Sequence, residues 1–199
     1  MNNKKQSPYG SWESVITSEK IIEGGLKFGE VRIDNKDIYF LEGRPSESGR
    51  SVILKHNSDG TTTDVIPGNF NSRNAVHEYG GGSFVVREEV VFFTNWEDQL
   101  IYKVFEDKII PITESSDIPM GIRYADLTLS NDGKWIFCVR ETHNEGKEAK
   151  NEIVAVSTTS SDTVVLASGR DFYSSPRPNP TSNHICWLEW DHPNMPWDG

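Results

Sequence analysis

The chain has 199 residues and a mass of 22.5 kDa, with 30 acidic against 20 basic side chains, a formal charge of −10 and a pI near 5.0. A phosphate-backbone partner would meet net repulsion, so nucleic-acid binding is excluded as an expectation. Met1 to Gly10 carries Lys4 and Lys5 with no apolar run behind them, so neither a signal peptide nor a membrane anchor is expected and the protein reads as cytoplasmic.

In chain order, the first element is a short turn of helix at 17–22, with Thr17 as its cap. Everything after it reads as strands, rich in Val, Ile, Thr and aromatic residues. Runs at 29–33, 37–42, 51–55 and 61–66 are punctuated by Asp34-Asn35 and Ser58-Asp59-Gly60. Runs at 83–86, 90–94, 100–105 and 108–112 follow, with Arg87-Glu88 and Glu106-Asp107 between them. Next come 127–129, 134–140, 152–157 and 163–167, with Asn131-Asp132-Gly133 and Ser160-Ser161 as turns, and finally 184–190. Each of these turns would close a hairpin.

A longer period organises the strands. Ile38-Tyr39-Phe40-Leu41, Val91-Phe92-Phe93-Thr94, Ile136-Phe137-Cys138-Val139 and Ile185-Cys186-Trp187-Leu188 recur about every 45 to 53 residues, each after a polar turn. Four antiparallel strands per unit is the pattern of a propeller blade. A β-sandwich also repeats its turns, but does not require similarity to return at the four-strand period. The fold class expected is therefore all-β, a partial β-propeller of four-stranded antiparallel blades. Residues 1–27 form a lead segment and 28–199 the propeller, ending mid-blade, as in a fragment or a truncated gene product. Phe40, Phe93, Phe137 and Trp187 are expected at equivalent places in successive blades.

The run His77-Glu78-Tyr79-Gly80-Gly81-Gly82 invites two chemical readings, and both fail. A helical zinc motif needs a second histidine where Gly81 stands, and a phosphate loop needs its glycines to lead into a helix, whereas Gly82 leads into the strand-like Ser83-Phe84-Val85-Val86. The plainer role of three glycines is to let the backbone pass close to a neighbouring blade. The loop at 187–197 puts indole rings, a carboxylate and an imidazole together, a set that suits a peptide terminus or a sugar but also ordinary packing. If that loop is extended, the adjacent Asp191 and His192 point to opposite sides. No Gly-x-Ser-x-Gly elbow occurs, and the histidines lack ligand spacing, so no catalytic triad, metal or cofactor is expected. Cys138 and Cys186 sit in apolar runs and are expected to be buried free thiols.

Several stretches resemble a known family. Ser7-Pro8-Tyr9-Gly10-Ser11-Trp12, Leu41-Glu42-Gly43-Arg44-Pro45, Val76-His77-Glu78-Tyr79-Gly80-Gly81-Gly82, Arg123-Tyr124-Ala125-Asp126 and Trp190-Asp191-His192-Pro193-Asn194-Met195-Pro196-Trp197-Asp198-Gly199 are similar to bacterial dipeptidyl aminopeptidase or acylaminoacyl-peptidase-like members of the prolyl oligopeptidase family. The resemblance implies a seven-bladed propeller, of which this chain covers about the first half, followed by an α/β-hydrolase domain that carries the whole triad. It implies a propeller that caps the active site and admits short peptides, with the hydrolase domain of the same protein as partner. Within that frame the candidate substrate-binding residues are His77, Glu78, Asp191, His192 and Trp197, with Glu78 placed to hold a substrate ammonium. The rival class is a stand-alone interaction or carbohydrate-binding propeller.

Overall fold

The computed structural model describes residues 6–22, 25–106 and 108–198. Lys4, Lys5 and the Asp107 position of the 106–107 turn lie outside the described residues. The helix α1 (Ser18–Ile22) is a single turn, opened by Thr17 Oγ1, which accepts the Lys20 N–H at 3.3 Å.

Among the described residues fourteen strands follow, arranged as consecutive antiparallel meanders. The first sheet is β1 (Lys27–Asp34), β2 (Asp37–Arg44), β3 (Arg50–His56) and β4 (Thr62–Asp64). The second is β5 (Phe84–Arg87), β6 (Val90–Thr94), β7 (Ile101–Phe105) and β8 (Lys108–Pro111). The third is β9 (Ile122–Leu129), β10 (Trp135–Thr142), β11 (Lys150–Ser157) and β12 (Thr163–Ser168), and the fourth contains β13 (Phe172–Pro178) and β14 (Ile185–Trp190). Contacts between sheets run from β1 to β5, β5 to β9 and β9 to β13, so the first strands converge towards one axis. This is the partial propeller expected from the repeat. Strand β4 is shorter than the run at 61–66 because Ile66 turns into the core between the first two sheets.

Alternation along the second strand of each blade builds the three inter-blade cores. Val91 and Phe93 pack back onto Tyr39 and Ile53 of the first blade, while Phe92 packs forward onto Ile136 and Cys138 of the third. Val139 and Trp187 meet in the next core with Val76, Ile153 and Tyr173. Phe93, Cys138 and Trp187 therefore occupy equivalent, backward-facing places. Phe137 does not share them: it is one residue out of phase and faces forward, beside Leu166 and Ile185. The four tetrapeptides were in register, and the size of the phenylalanine ring masked the period-two alternation.

Two sets of hydrogen bonds fix neighbouring blades to one another. At the hairpin end, Asp34 accepts the N–H groups of Glu88 and Glu89 at 2.9 and 2.7 Å, which holds both residues of that two-residue turn at positive φ without glycine. Arg87 donates to the carbonyls of Ser130 and Asn131, and Asn131 to that of Asn179. Midway along the first strands, β-bulges put Glu30, Asp126 and Ser175 at positive φ. Glu30 there accepts the N–H of Ser83 at 2.7 Å, and Asp126 accepts those of Gly82 and Ser175, both at 2.8 Å. A Cβ on Gly81 would stand 2.7 Å from Asp126 Oδ1, so this glycine lets the backbone approach blade three.

Cys138 is buried in the second inter-blade core, and burial pushes its thiol pKa up. Cys186 is free but exposed, contrary to the sequence expectation, because it lies on the forward face of β14, where no further sheet is present among the described residues.

Candidate functional site

The connection from β4 to β5 is long, and it carries Val76, His77 and Glu78 across to blades three and four. It turns on two successive non-glycine residues in the left-handed region, His77 (φ 54) and Glu78 (φ 68), a conformation that the surroundings must hold. Glu141, at the end of β10 and with its side chain 4% exposed, does so. Its Oε2 accepts the His77 N–H at 2.8 Å, and its Oε1 accepts from Arg123 Nη1 at 3.2 Å and lies 2.7 Å from His143 Nε2. Arg123, at the start of β9, also donates to Ala75 O and to Glu78 Oε1, each at 2.7 Å.

The His77 ring is packed edge-on against Phe172 and Trp190, whose own rings stack 5.3 Å apart across the β13–β14 pair. Asn151 donates its amide to Asp171 O, which turns its Oδ1 to His77 Nε2 at 3.2 Å. That network assigns the His77 proton to Nε2. Burial lowers the His77 pKa from its ordinary value, so the imidazole is neutral. The hydrogen bond and charge of Arg123 lower that of Glu78, which is therefore ionised.

Beside this core opens a cleft of about 290 Å³, lined by Glu78, Glu141, His143, Asp171, Phe172 and His192 among others. Asp171 Oδ2 accepts the His192 N–H and faces its Nδ1 at 3.0 Å, and the His192 ring leans on Phe172. The stacked Phe172–Trp190 pair separates this cleft from a second one of about 330 Å³, whose wall includes Arg170, Trp190, Asp191 and Met195. Asp191 accepts from Arg170 Nη1 at 2.7 Å and from the Asp171 N–H at 2.9 Å.

Of the candidates named from sequence, His77, Glu78 and His192 are brought into the first cleft and Asp191 into the second. Trp197 lines neither and is 74% exposed. Asp191 and His192 lie in a turn closed by the Asn194 N–H on Asp191 O at 2.9 Å, not in an extended segment, and both engage Asp171: Asp191 Oδ1 accepts its N–H, and His192 bonds its Oδ2. Sequence reasoning missed Glu141, Asn151 and Asp171 as partners, because a single polar residue at a strand end carries no signal until the neighbouring blade is in place. Glu78, Glu141 and His143 converge within 4.8 Å of one another, but the Arg123 guanidinium already occupies the position a metal ion would take between the two carboxylates. The trio is a salt-bridge cluster.

All these groups lie at one end of the blades, where the first strands begin. Side-chain hydrogen bonds join the blades in the same chain direction, from Glu30 to Ser83 and Asp34 to Glu89, from Asp126 to Gly82 and Ser130 to Arg87, and from Asp126 to Ser175 and Asn131 to Asn179, which puts the start of β1 at that same end. No helix among the described residues is long and apolar enough to cross a membrane.

No protein-family model matches the sequence, and no curated protein does. Solved structures do. Over 98% of its length the chain superposes on a puromycin-hydrolyzing peptidase of Mycobacterium tuberculosis, with a TM-score of 0.86 and 33% identity, and covers 32% of that protein. A puromycin hydrolase matches at TM-score 0.84 and 25% identity, over 98% of this chain and 32% of its own. TolB from Acinetobacter baumannii, at 15% identity and TM-score 0.57 over 84% of this chain and 39% of its own, shares the fold alone. The chain thus spans about one third of the length of the peptidases it matches.

Proposed function

We propose, for a chain that belongs to the prolyl oligopeptidase family as part of its N-terminal propeller region, that it caps a hydrolase domain of the same protein and admits short peptides to it. The observation that carries this is the 33% identity with a peptidase along 98% of the chain. The physical support is a stack of blades fixed to each other by part-buried hydrogen bonds at both the bulge and the hairpin, as a rigid cover over a reactive site requires. In this reading His77, Glu78, Asp191, His192 and Trp197 face substrate on its way to the hydrolase.

The His143–Glu141 and His192–Asp171 pairs have no serine or cysteine joined to the imidazole among the described residues. The proposal places the protein in the cytoplasm, a location that two unpaired cysteines support.

The test uses a serine-directed fluorophosphonate and a pair of substrates. The 199-residue chain is expected to stay unlabelled. The complete polypeptide is expected to label stoichiometrically, to cut short peptides and to leave a folded protein intact. Labelling of a serine in this chain, or digestion of the folded protein as fast as of a short peptide, overturns the proposal.

A further inference from the structure

We propose that the hollow between Lys27 and Arg73, where the first blade meets the second, binds a small organic carboxylate. Two glycines make the hollow. Lys27 pairs with Gly43, Gly29 with Leu41 and Gly43 with Ser51, so these five residues share one face of the first sheet. It is the face turned to blade two, because Ile53, opposite Leu41, packs there against Phe84 and Phe93. The backbone requires neither glycine: a Cβ on Gly29 would stand 3.9 Å from Leu41 Cβ and one on Gly43 3.5 Å from Lys27 Cβ, both ordinary contacts, and neither residue has a positive φ. Glycine inside a strand weakens the fold. What the two missing side chains leave is a cavity of about 410 Å³, bordered also by Pro45 and Arg73 and of a size that suits a ligand.

The lining carries two cations and no carboxylate, in a chain with a formal charge of −10. The acids of the surrounding segments are already bound: Glu30 pairs with Arg32, Glu42 and Asp64 with Arg44, Glu47 with Arg50 and Glu78 with Arg123. Lys27 and Arg73 have no ion pair among the described residues, and Arg73 is the one arginine among them whose guanidinium donates no hydrogen bond. That guanidinium stands over the Trp96 ring, 4.4 Å from its centroid. Stacking of this kind holds the group in place and leaves its N–H fork free to meet both oxygens of a carboxylate. Ser51, whose N–H goes to Asn71, has a hydroxyl with no hydrogen bond among the described residues and adds a further donor to the same cavity. Leu41 and Pro45 offer apolar surface to the body of the acid. Trp96 is then a positioning residue for Arg73.

Ligand-observed saturation-transfer NMR on the complete polypeptide measures binding of benzoate, hexanoate and benzamide, with inorganic phosphate as a competitor. The two acids are expected to bind in the millimolar range, and benzamide, of the same shape without the charge, at least about tenfold more weakly. Arg73→Gln should remove the preference for benzoate over benzamide, and Trp96→Leu should weaken it in part. Gly43→Val tests the space itself: it is expected to abolish binding while keeping or raising the melting temperature, because valine suits a strand better than glycine. Gly29→Ala, a smaller change, should weaken binding at an unchanged melting temperature. Equal binding of benzoate and benzamide, a preference that survives Arg73→Gln, or full binding by a folded Gly43→Val variant overturns the proposal. A fall in melting temperature in both glycine variants would show that the glycines serve the fold, and it overturns the proposal too. Displacement of benzoate by an equal concentration of phosphate overturns the carboxylate assignment. Absence of binding by either acid, as when another part of the polypeptide fills the hollow, does so as well.

Discussion

His77 is the residue on which the clefted end turns, and its protonation state is a matter of stability. Burial against Phe172 and Trp190 holds its pKa below the ordinary 6.5, with the charge of Glu141 acting in the opposite sense. For a lowered histidine the unfolded chain binds the proton first. Its contribution is therefore fully present above the unfolded value and is lost as pH falls from there through the lowered folded value. Glu30 behaves oppositely: burial raises its pKa above 4.5, so its contribution is present below that value and is lost as pH rises through the raised one. Between about pH 7 and pH 5 the melting temperature should therefore fall more steeply in the wild-type protein than in a His77→Gln variant, by calorimetry. Parallel curves would mean that the imidazole is not held neutral.

The element that most determines the assembly is the bulged first strand. Asp126 reaches Gly82 of the second blade with one oxygen and Ser175 of the fourth with the other, so one carboxylate ties three blades together. Asparagine tolerates the left-handed conformation at this position and keeps one acceptor, whereas alanine leaves both N–H groups unpaired. Asp126→Ala is expected to cost about 2 to 4 kcal/mol in urea unfolding, and Asp126→Asn about half of that. A loss below about 1 kcal/mol for the alanine variant would show that solvent replaces the tie. The hairpins tell a related story from the sequence side. The turn expected at Arg87-Glu88 lies one residue on, at Glu88-Glu89, which lacks the Asn-Gly chemistry of a tight turn yet closes one because Asp34 of the preceding blade binds the strained N–H groups.

At the scale of the molecule, the described sheets have two uncovered ends. On the first blade Phe28, Val31 and Ile33 are 68%, 62% and 74% exposed, and on the last Leu188 is exposed beside the outer edge of β14, which pairs with no strand among the described residues. An apolar face and an open strand edge are templates for association. The 199-residue chain by itself is expected to self-associate in light scattering, and Ile33→Lys to reduce that association by charging the open face. A monodisperse monomer with one sharp melting transition would contradict this.

The sequence by itself determined the strands, the four-strand period and the propeller class, because side-chain alternation and turn chemistry are local properties that any chain of this composition must satisfy to bury its apolar face. It also pointed to the His77-Glu78 run and to the glycines behind it. Only the tertiary structure decided that Cys138, not Phe137, shares the place of Phe93, that Cys186 is open, and that Glu141, Arg123, Asn151 and Asp171 surround His77. Those residues come from strand ends 46 or more positions away from His77 in the chain and meet only where one blade packs on the next. A hydrogen bond between blades leaves no periodicity behind in the sequence, so its partners become visible only once the blades are in place.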